Sequence, residues 1–127
     1  MIRRLPILLL AVAAIASAPL ARANSSVHFE LRTSSPEDES TFTAVDTIRL
    51  EFTQVPQDDA TTVRLLNGSG ELVETEALHQ DEEDGKIFHL PVGDGLADGA
   101  WTVSWRSMAS DGHVVRGDFA FTVAAER

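Results

Sequence analysis

An all-β domain, either an antiparallel sandwich or a Greek-key barrel, is the fold that the sequence predicts. Short segments alternate apolar and polar residues, and glycine, asparagine and aspartate separate these segments at regular intervals. No stretch keeps a helical period of apolar residues. Strand patterns of this kind, without intervening helices, are typical of sandwiches and barrels. Because the chain has no cysteine, an apolar core rather than disulfide bonds must stabilise the domain.

The first 23 residues are predicted to be a secretory signal peptide. Arg3 and Arg4 precede an apolar run over residues 5–18, and residues 21–23 form an Ala-x-Ala cleavage pattern. The apolar run is short and contains a proline, which favours a cleaved signal over a retained membrane anchor. We therefore expect an exported domain that spans residues 24–127 and begins at Asn24.

The first half of this domain contains strand patterns separated by strong turn signals. In the segment 47–52 every second residue is apolar, so one face of the strand is expected to lie on the core. The segment 62–66 is followed by Asn-Gly-Ser-Gly at residues 67–70, which predicts a tight turn into a short strand at residues 71–73.

The second half contains the most apolar strand patterns. Residues 86–92 form one predicted strand, and residues 119–123 form the last, with alternate apolar side chains on one face. Between them, Trp101, Val103 and Trp105 recur at a period of two residues. Because large aromatic side chains at this spacing usually pack in a core, both tryptophans are assigned to packing rather than to ligand binding.

The charge and the residue composition exclude several classes of function. The net charge is −10, and the predicted signal peptide contains three arginines and no acid, so the mature domain is more acidic still. Such a domain is unsuited to binding nucleic acids or anionic lipid surfaces, and it favours cations or basic partners. The absence of cysteine excludes thiolate metal sites and cysteine nucleophiles. No Gly-x-Ser-x-Gly motif or Ser/His/Asp order is present, so we expect no enzyme.

The segment Asp111-Gly112-His113 is the strongest candidate for a binding site. In an extended backbone, residues two apart project to the same side, so the carboxylate and the imidazole are expected to converge on one point. Imidazole nitrogen with carboxylate oxygen suits Cu(II), Zn(II) or Ni(II). The alternative is a plain hairpin turn that carries an exposed histidine. Two ligands make a weak site, so a third must come from elsewhere in the chain.

The other histidines are less informative. His79 adjoins the acidic segment 81–84, which has the composition of a solvated loop and lacks the alternating ligands of a calcium loop. His89 alternates with Phe88 and Leu90 and is expected to face outward. Neither histidine is assigned a role. Met108 lies at a predicted strand end and is assigned to packing.

Several segments resemble the CopC family of periplasmic copper-resistance proteins. HFELRTSSP at residues 28–36 is similar to the start of the mature family members, and LEFTQ at residues 50–54 is similar to an early strand of the family. The most specific likeness lies in the last third of the chain. There, GAWTVSWR, SDGH and GDFAFTV follow one another from residue 99 to residue 123.

This resemblance implies an immunoglobulin-like Greek-key β-sandwich or barrel of about seven strands. It also implies a Cu(II) site formed by His28, Asp111 and His113, in which two imidazoles and one carboxylate suit the tetragonal coordination of Cu(II). The implied function is copper resistance or homeostasis in the periplasm, either by buffering copper or by delivering it to a CopD-like inner-membrane partner.

Two departures from the family pattern keep other functions open. Four residues precede His28 after the expected cleavage, whereas in the family this histidine usually carries the free terminal amine. Gln54 stands where many members have a glutamate. Both differences favour a weaker copper site, or an immunoglobulin-like interaction module that has lost its metal. A copper enzyme would require processing to His28.

Overall fold

A computed structural model of the protein describes residues 28–126, and these residues form nine β-strands in two sheets. The predicted signal peptide lies outside the described residues. In chain order, the strands are β1 (Leu31–Ser35), β2 (Ser40–Phe42), β3 (Thr47–Phe52), β4 (Thr62–Leu66), β5 (Leu72–Val73), β6 (His79–Gln80), β7 (Ile87–Pro91), β8 (Gly99–Met108) and β9 (Val114–Val123).

The two sheets form an immunoglobulin-like sandwich, as the sequence predicted. The first sheet has the strand order β1-β3-β7-β6, and the second has the order β2-β9-β8-β4-β5. All neighbouring strands are antiparallel except β2 and β9, which run parallel. The number of strands exceeds the expected seven because β5 and β6 are short pairings of two residues each.

The core between the sheets is centred on Phe52. Its ring stacks on Phe29 at a centroid distance of 5.3 Å. It also makes an edge-to-face contact at 5.3 Å with Trp105, which belongs to the opposite sheet. A third ring, that of Phe88, contacts Phe52 at 5.7 Å. Aromatic pairs at these distances contribute about 0.5–1.5 kcal/mol each beyond the burial of their area. Trp101 is also buried, so the assignment of both tryptophans to the core is confirmed.

The strands β3 and β4 have the predicted bounds, but β8 and β9 are longer than the apolar pattern indicated. In β8 the inward-facing position after Trp105 is Ser107, whose hydroxyl is fully buried and lies 2.8 Å from the hydroxyl of Thr61. In β9 the residue opposite Trp105 is Gly117, where a Cβ atom would come within 2.6 Å of the indole. A paired hydroxyl and a glycine therefore continue the inner face beyond the apolar pattern.

The pattern of apolar residues did not reveal β1, β2 and β6 as strands. These strands lie at sheet edges, and few of their side chains are buried. Among residues 28–126, no helix is long and apolar enough to cross a membrane.

Candidate functional site

Residues 109–113 connect β8 to β9 and form the turn that the sequence predicted. The main-chain N–H of Ala109 donates to the carbonyl of His113 at 2.9 Å, and that of Gly112 donates to the carbonyl of Ala109 at 2.9 Å. Gly112 has a φ of +93°, a conformation that side chains other than glycine rarely adopt. The glycine therefore allows the tight turn that separates Asp111 from His113.

The side chains of Asp111 and His113 meet at the tip of this hairpin. Oδ2 of Asp111 lies 2.7 Å from Nδ1 of His113, and the main-chain N–H of His113 donates to Oδ1 at 3.0 Å. The side chains are 61% and 82% exposed, respectively. The expectation that the two groups converge agrees with this geometry, but the reason differs. The backbone turns here, and it is this turn that brings the two side chains together.

The charge of Asp111 determines which nitrogen of His113 is open. Donation by the main-chain N–H of His113 and, second, by its side chain lowers the pKa of the Asp111 carboxyl below 3.8, its ordinary value. The ionised carboxylate only accepts hydrogen bonds, so Nδ1 of His113 carries the proton that it shares with Oδ2. In the neutral ring, Nε2 then has a free lone pair directed away from Asp111 and is available as a metal ligand.

Gln57, which the sequence did not indicate, lies in the connection between β3 and β4 and holds the hairpin by hydrogen bonds. Its main-chain N–H donates to the carbonyl of Met108 at 2.9 Å. Its side-chain amide donates to the carbonyls of Ala109 at 3.1 Å and Ser110 at 3.4 Å. These contacts join residues more than 50 positions apart in the chain, so no local pattern could have predicted them. The base of the hairpin is therefore held against the connection between β3 and β4.

His28 lies just before β1, and its backbone is fixed to the end of β3. The hydroxyl of Thr53 donates to the carbonyl of His28 at 2.8 Å, and the main-chain N–H of Glu30 donates to the same hydroxyl at 3.1 Å. The next residue, Phe29, is buried against Phe52. The His28 side chain itself is exposed.

The topology brings His28 to the same end of the sandwich as the Asp111–His113 pair. Leu31 pairs with Phe52, so β1 begins where β3 ends. The connection after β3 is hydrogen-bonded through Gln57 to the end of β8, from which the hairpin projects. Nevertheless, within residues 28–126 no three or more His, Cys, Asp or Glu side chains are grouped as a metal site would require. That His28 shares an ion with Asp111 and His113 stays a prediction.

A second histidine cluster, which the sequence did not suggest, lies at the edge of the first sheet. His79 of β6 is paired in register with His89 of β7, and the two imidazole rings stack at 5.2 Å with an angle of 26° between their planes. Nε2 of His89 lies 3.0 Å from Oδ2 of Asp81. His89 alternates with the buried Phe88 and Leu90, as predicted, but the sequence did not indicate the two contacts that leave its side chain only 25% exposed.

Two solved structures share this fold. CopC from Methylosinus trichosporium OB3b superposes with a TM-score of 0.69 and is 25% identical, covering 79% of this chain and 97% of that protein. PcoC, a methionine-rich copper resistance protein from Escherichia coli, superposes with a TM-score of 0.68 and is 26% identical, covering 77% and 100% respectively.

Two curated proteins are similar in sequence. Copper resistance protein C of Xanthomonas campestris pv. juglandis is 29% identical over 112 residues, which are 84% of this chain and 88% of that protein. Protein YobA of Escherichia coli strain K12 is 28% identical over 80 residues. The match spans 63% of this chain and 64% of YobA, which is just under two thirds of that relative.

Residues 31–124 match the CopC domain. The matched segment contains Asp111 and His113 and begins three residues after His28. It also contains all nine strands. Together with the shared fold, this match means that the chain belongs to the CopC domain family.

Proposed function

We propose that this protein binds Cu(II) in the periplasm and serves copper resistance or homeostasis, without catalysing a reaction. The ion is held by the imidazoles of His28 and His113 and by the carboxylate of Asp111. The protein buffers copper or delivers it to a CopD-like inner-membrane partner. The observation that carries the proposal is the exposed Asp111–His113 pair at the hairpin tip of a CopC domain.

The donor groups of this pair suit Cu(II). His113 offers Nε2 without any rearrangement, because Asp111 already holds its Nδ1 proton. Direct ligation by Asp111 requires its Oδ2 to exchange the hydrogen bond to His113 for the ion. Since both side chains are largely exposed, no core packing opposes this exchange. Imidazole nitrogen and carboxylate oxygen together favour the tetragonal coordination of Cu(II).

His28 supplies the third ligand by a movement of its side chain. Its main chain is held by Thr53, while its imidazole is exposed at the end of the sandwich from which the hairpin projects. We expect the His28 side chain to move on copper binding while the buried Phe29 stays in place. A ligand that must be recruited costs conformational entropy, so we expect weaker copper binding than at a preformed site.

The acid sensitivity of binding follows from the ligand types. Copper competes with protons for imidazole nitrogen, so copper binding weakens as the pH falls. The pKa of the Asp111 carboxyl is lowered, so this group stays ionised in weak acid.

Electron paramagnetic resonance with a competing chelator tests the proposal. Cu(II) is added to the exported protein in the presence of the chelator. We expect a protein-bound spectrum with hyperfine coupling to two imidazole nitrogens, and His28→Ala is expected to leave coupling to only one. His79→Ala is the matched control and should leave the spectrum unchanged. A spectrum of the copper–chelator complex alone would refute copper binding.

The same experiment addresses the alternative, an interaction module that has kept the scaffold and lost the metal. This alternative is favoured by one observation: no preformed group of three metal-ligating side chains exists within residues 28–126. Absence of bound copper in the wild-type protein would support this function. Loss of binding in His113→Ala, with the fold retained, would exclude it.

A further inference from the structure

Three arginines lie together on the outer face of the second sheet. Arg106 of β8 pairs directly with Arg116 of β9, and Arg64 of β4 pairs with Ser104, which is two residues from Arg106 on the same face. The three side chains are exposed and come from three adjacent strands. The fold therefore concentrates positive charge on one face of a chain that has 20 acidic and only 10 basic side chains.

Within the described part of the chain, acidic side chains form no ion pair with this arginine cluster. The ion pairs there involve Arg32, Arg49, His89 and His113, and they do not include Arg64, Arg106 or Arg116. Like charges directly opposite each other on neighbouring strands are destabilising, so the Arg106–Arg116 pairing lowers the stability of the sheet. A requirement for stability does not explain this arrangement, whereas binding of an anion would.

The arginines line a groove of about 560 Å³. Thr62 and Ser104 contribute hydroxyl groups, and Asp118 contributes one carboxylate. Trp105 and Gly117 also line the groove. Three guanidinium groups against one carboxylate leave the groove with a net positive charge.

We propose that this groove binds a phosphate group that is accompanied by a hydroxyl donor, such as inorganic hydrogen phosphate or a small phosphate ester. The planar guanidinium groups donate paired hydrogen bonds to phosphate oxygens. Asp118 accepts a hydrogen bond from the protonated oxygen or hydroxyl of the ligand. Sulfate has the same shape but is fully deprotonated at neutral pH, so Asp118 disfavours it.

The charge of the whole molecule favours a small ligand over an extended polyanion. The net charge of −10 repels nucleic acids and anionic surfaces at long range, whereas a single phosphate reaches the local positive potential of the groove. A phospholipid headgroup offers the same phosphate and hydroxyl chemistry as a free phosphate ester. The two sources are distinguished by experiment.

Titration of the ¹⁵N-labelled exported protein with inorganic phosphate at low ionic strength tests the proposal. We expect saturable shifts in residues 62–64, 104–106 and 116–118. The double variant Arg106→Gln/Arg116→Gln is expected to weaken binding at least about tenfold, since charge-assisted hydrogen bonds are lost. Arg49→Gln/Lys86→Gln removes the same charge from other parts of the surface and should change the affinity much less. Equal weakening by the two double variants, or shifts that do not saturate, would overturn the proposal.

Two further titrations define the ligand. Sulfate is expected to bind more weakly than phosphate to the wild-type protein, and Asp118→Asn should abolish this preference. Equal binding of the two anions by the wild-type protein would overturn the assignment.

Vesicles that contain phosphatidylglycerol are compared with vesicles of phosphatidylcholine alone. Binding to the former that free phosphate displaces identifies the lipid headgroup as a source, and absence of vesicle binding identifies a free phosphate ligand.

Discussion

Two histidine–aspartate pairs in this protein have similar N···O distances but differ in their exposure to solvent. At the hairpin tip, Nδ1 of His113 lies 2.7 Å from Asp111, and the side chains are 82% and 61% exposed. At the edge of the first sheet, Nε2 of His89 lies 3.0 Å from Asp81, and the side chains are 25% and 30% exposed. The two pairs thus use different ring nitrogens and differ strongly in their access to solvent.

This difference separates a pair that is suited to binding from a pair that is suited to structure. His113 presents its free Nε2 to solvent, whereas the ring of His89 is covered on one side by His79 and is held by Asp81 at the other. Asp81 is itself fixed, because its Oδ1 accepts the main-chain N–H groups of Glu83 and Asp84. A hydrogen-bonded histidine is therefore a candidate ligand only where its second nitrogen remains accessible.

The largest expected effect is the difference in copper affinity between a variant of His113 and a variant of His89. His113→Ala is expected to weaken Cu(II) binding by more than the about 10–100-fold that loss of an outer-shell partner costs, because it removes a direct ligand. His89→Ala should leave the affinity unchanged. Competition titration with a calibrated Cu(II) chelator measures both. If His89→Ala weakened binding as much as His113→Ala, the copper site would have to be assigned to the sheet edge.

The second prediction concerns the aspartates. Asp111→Asn is expected to weaken Cu(II) binding by at least about tenfold but by less than His113→Ala does, because the amide loses the negative charge while its oxygen can still ligate copper and accept the main-chain hydrogen bond of His113. Asp81→Asn makes the same change of charge at the other pair and should have little effect. The chelator titration measures both variants. Unchanged affinity in Asp111→Asn would remove the carboxylate from the site.

The third prediction concerns stability, for which His89 is expected to matter more than His113. His89→Ala is expected to lower the free energy of unfolding by about 1 kcal/mol, or about 5 °C in Tm, because it removes a half-buried ring and its hydrogen bond. His113→Ala lies on an exposed tip and should change the free energy of unfolding by less than about 0.5 kcal/mol. Thermal unfolding without copper measures both. An equal loss of stability in the two variants would contradict the distinction between the pairs.

The sequence indicated one of these pairs and missed the other for a physical reason. Asp111 and His113 are two residues apart beside a glycine, so their proximity is determined by a local turn that composition reveals. Asp81 and His89 are brought together by the register of β6 and β7, in which His79 lies opposite His89. Register depends on pairing between distant segments, and the short, polar β6 has no alternation of buried residues that would specify it.

The core strands were predictable because alternate apolar residues record which face is buried. Ile48, Leu50 and Phe52 are fully buried, as their spacing in β3 indicated. The position of His28 relative to the hairpin was not predictable in this way. It depends on the hydrogen bonds of Thr53 and Gln57 between connections, and neither residue type signals such a role. Local periodicity therefore predicted the core strands of the sandwich. The arrangement of His28 and the hairpin at one end of it depends on tertiary contacts that local periodicity does not indicate.

The last prediction, with the smallest effect, concerns stability in acid. The hydrogen bond from His89 and, second, those from the main-chain N–H groups of Glu83 and Asp84 lower the pKa of Asp81 from 3.8 to about 2. A lowered pKa in the folded state means that the carboxylate stabilises the fold above pH 3.8 and that this contribution is lost as the pH falls towards about 2.

Asp81→Asn should therefore make Tm less sensitive to pH over this interval, and Asp111→Asn should do so to a smaller extent, since both carboxyls have lowered pKa values. Melting curves of the two variants and the wild-type protein, recorded at a series of pH values across the interval, measure the difference. Parallel curves for Asp81→Asn and the wild type would mean that the pKa of Asp81 does not differ between the folded and the unfolded chain. The sheet-edge pair would then be no more structural than the hairpin pair, and burial would not distinguish their roles.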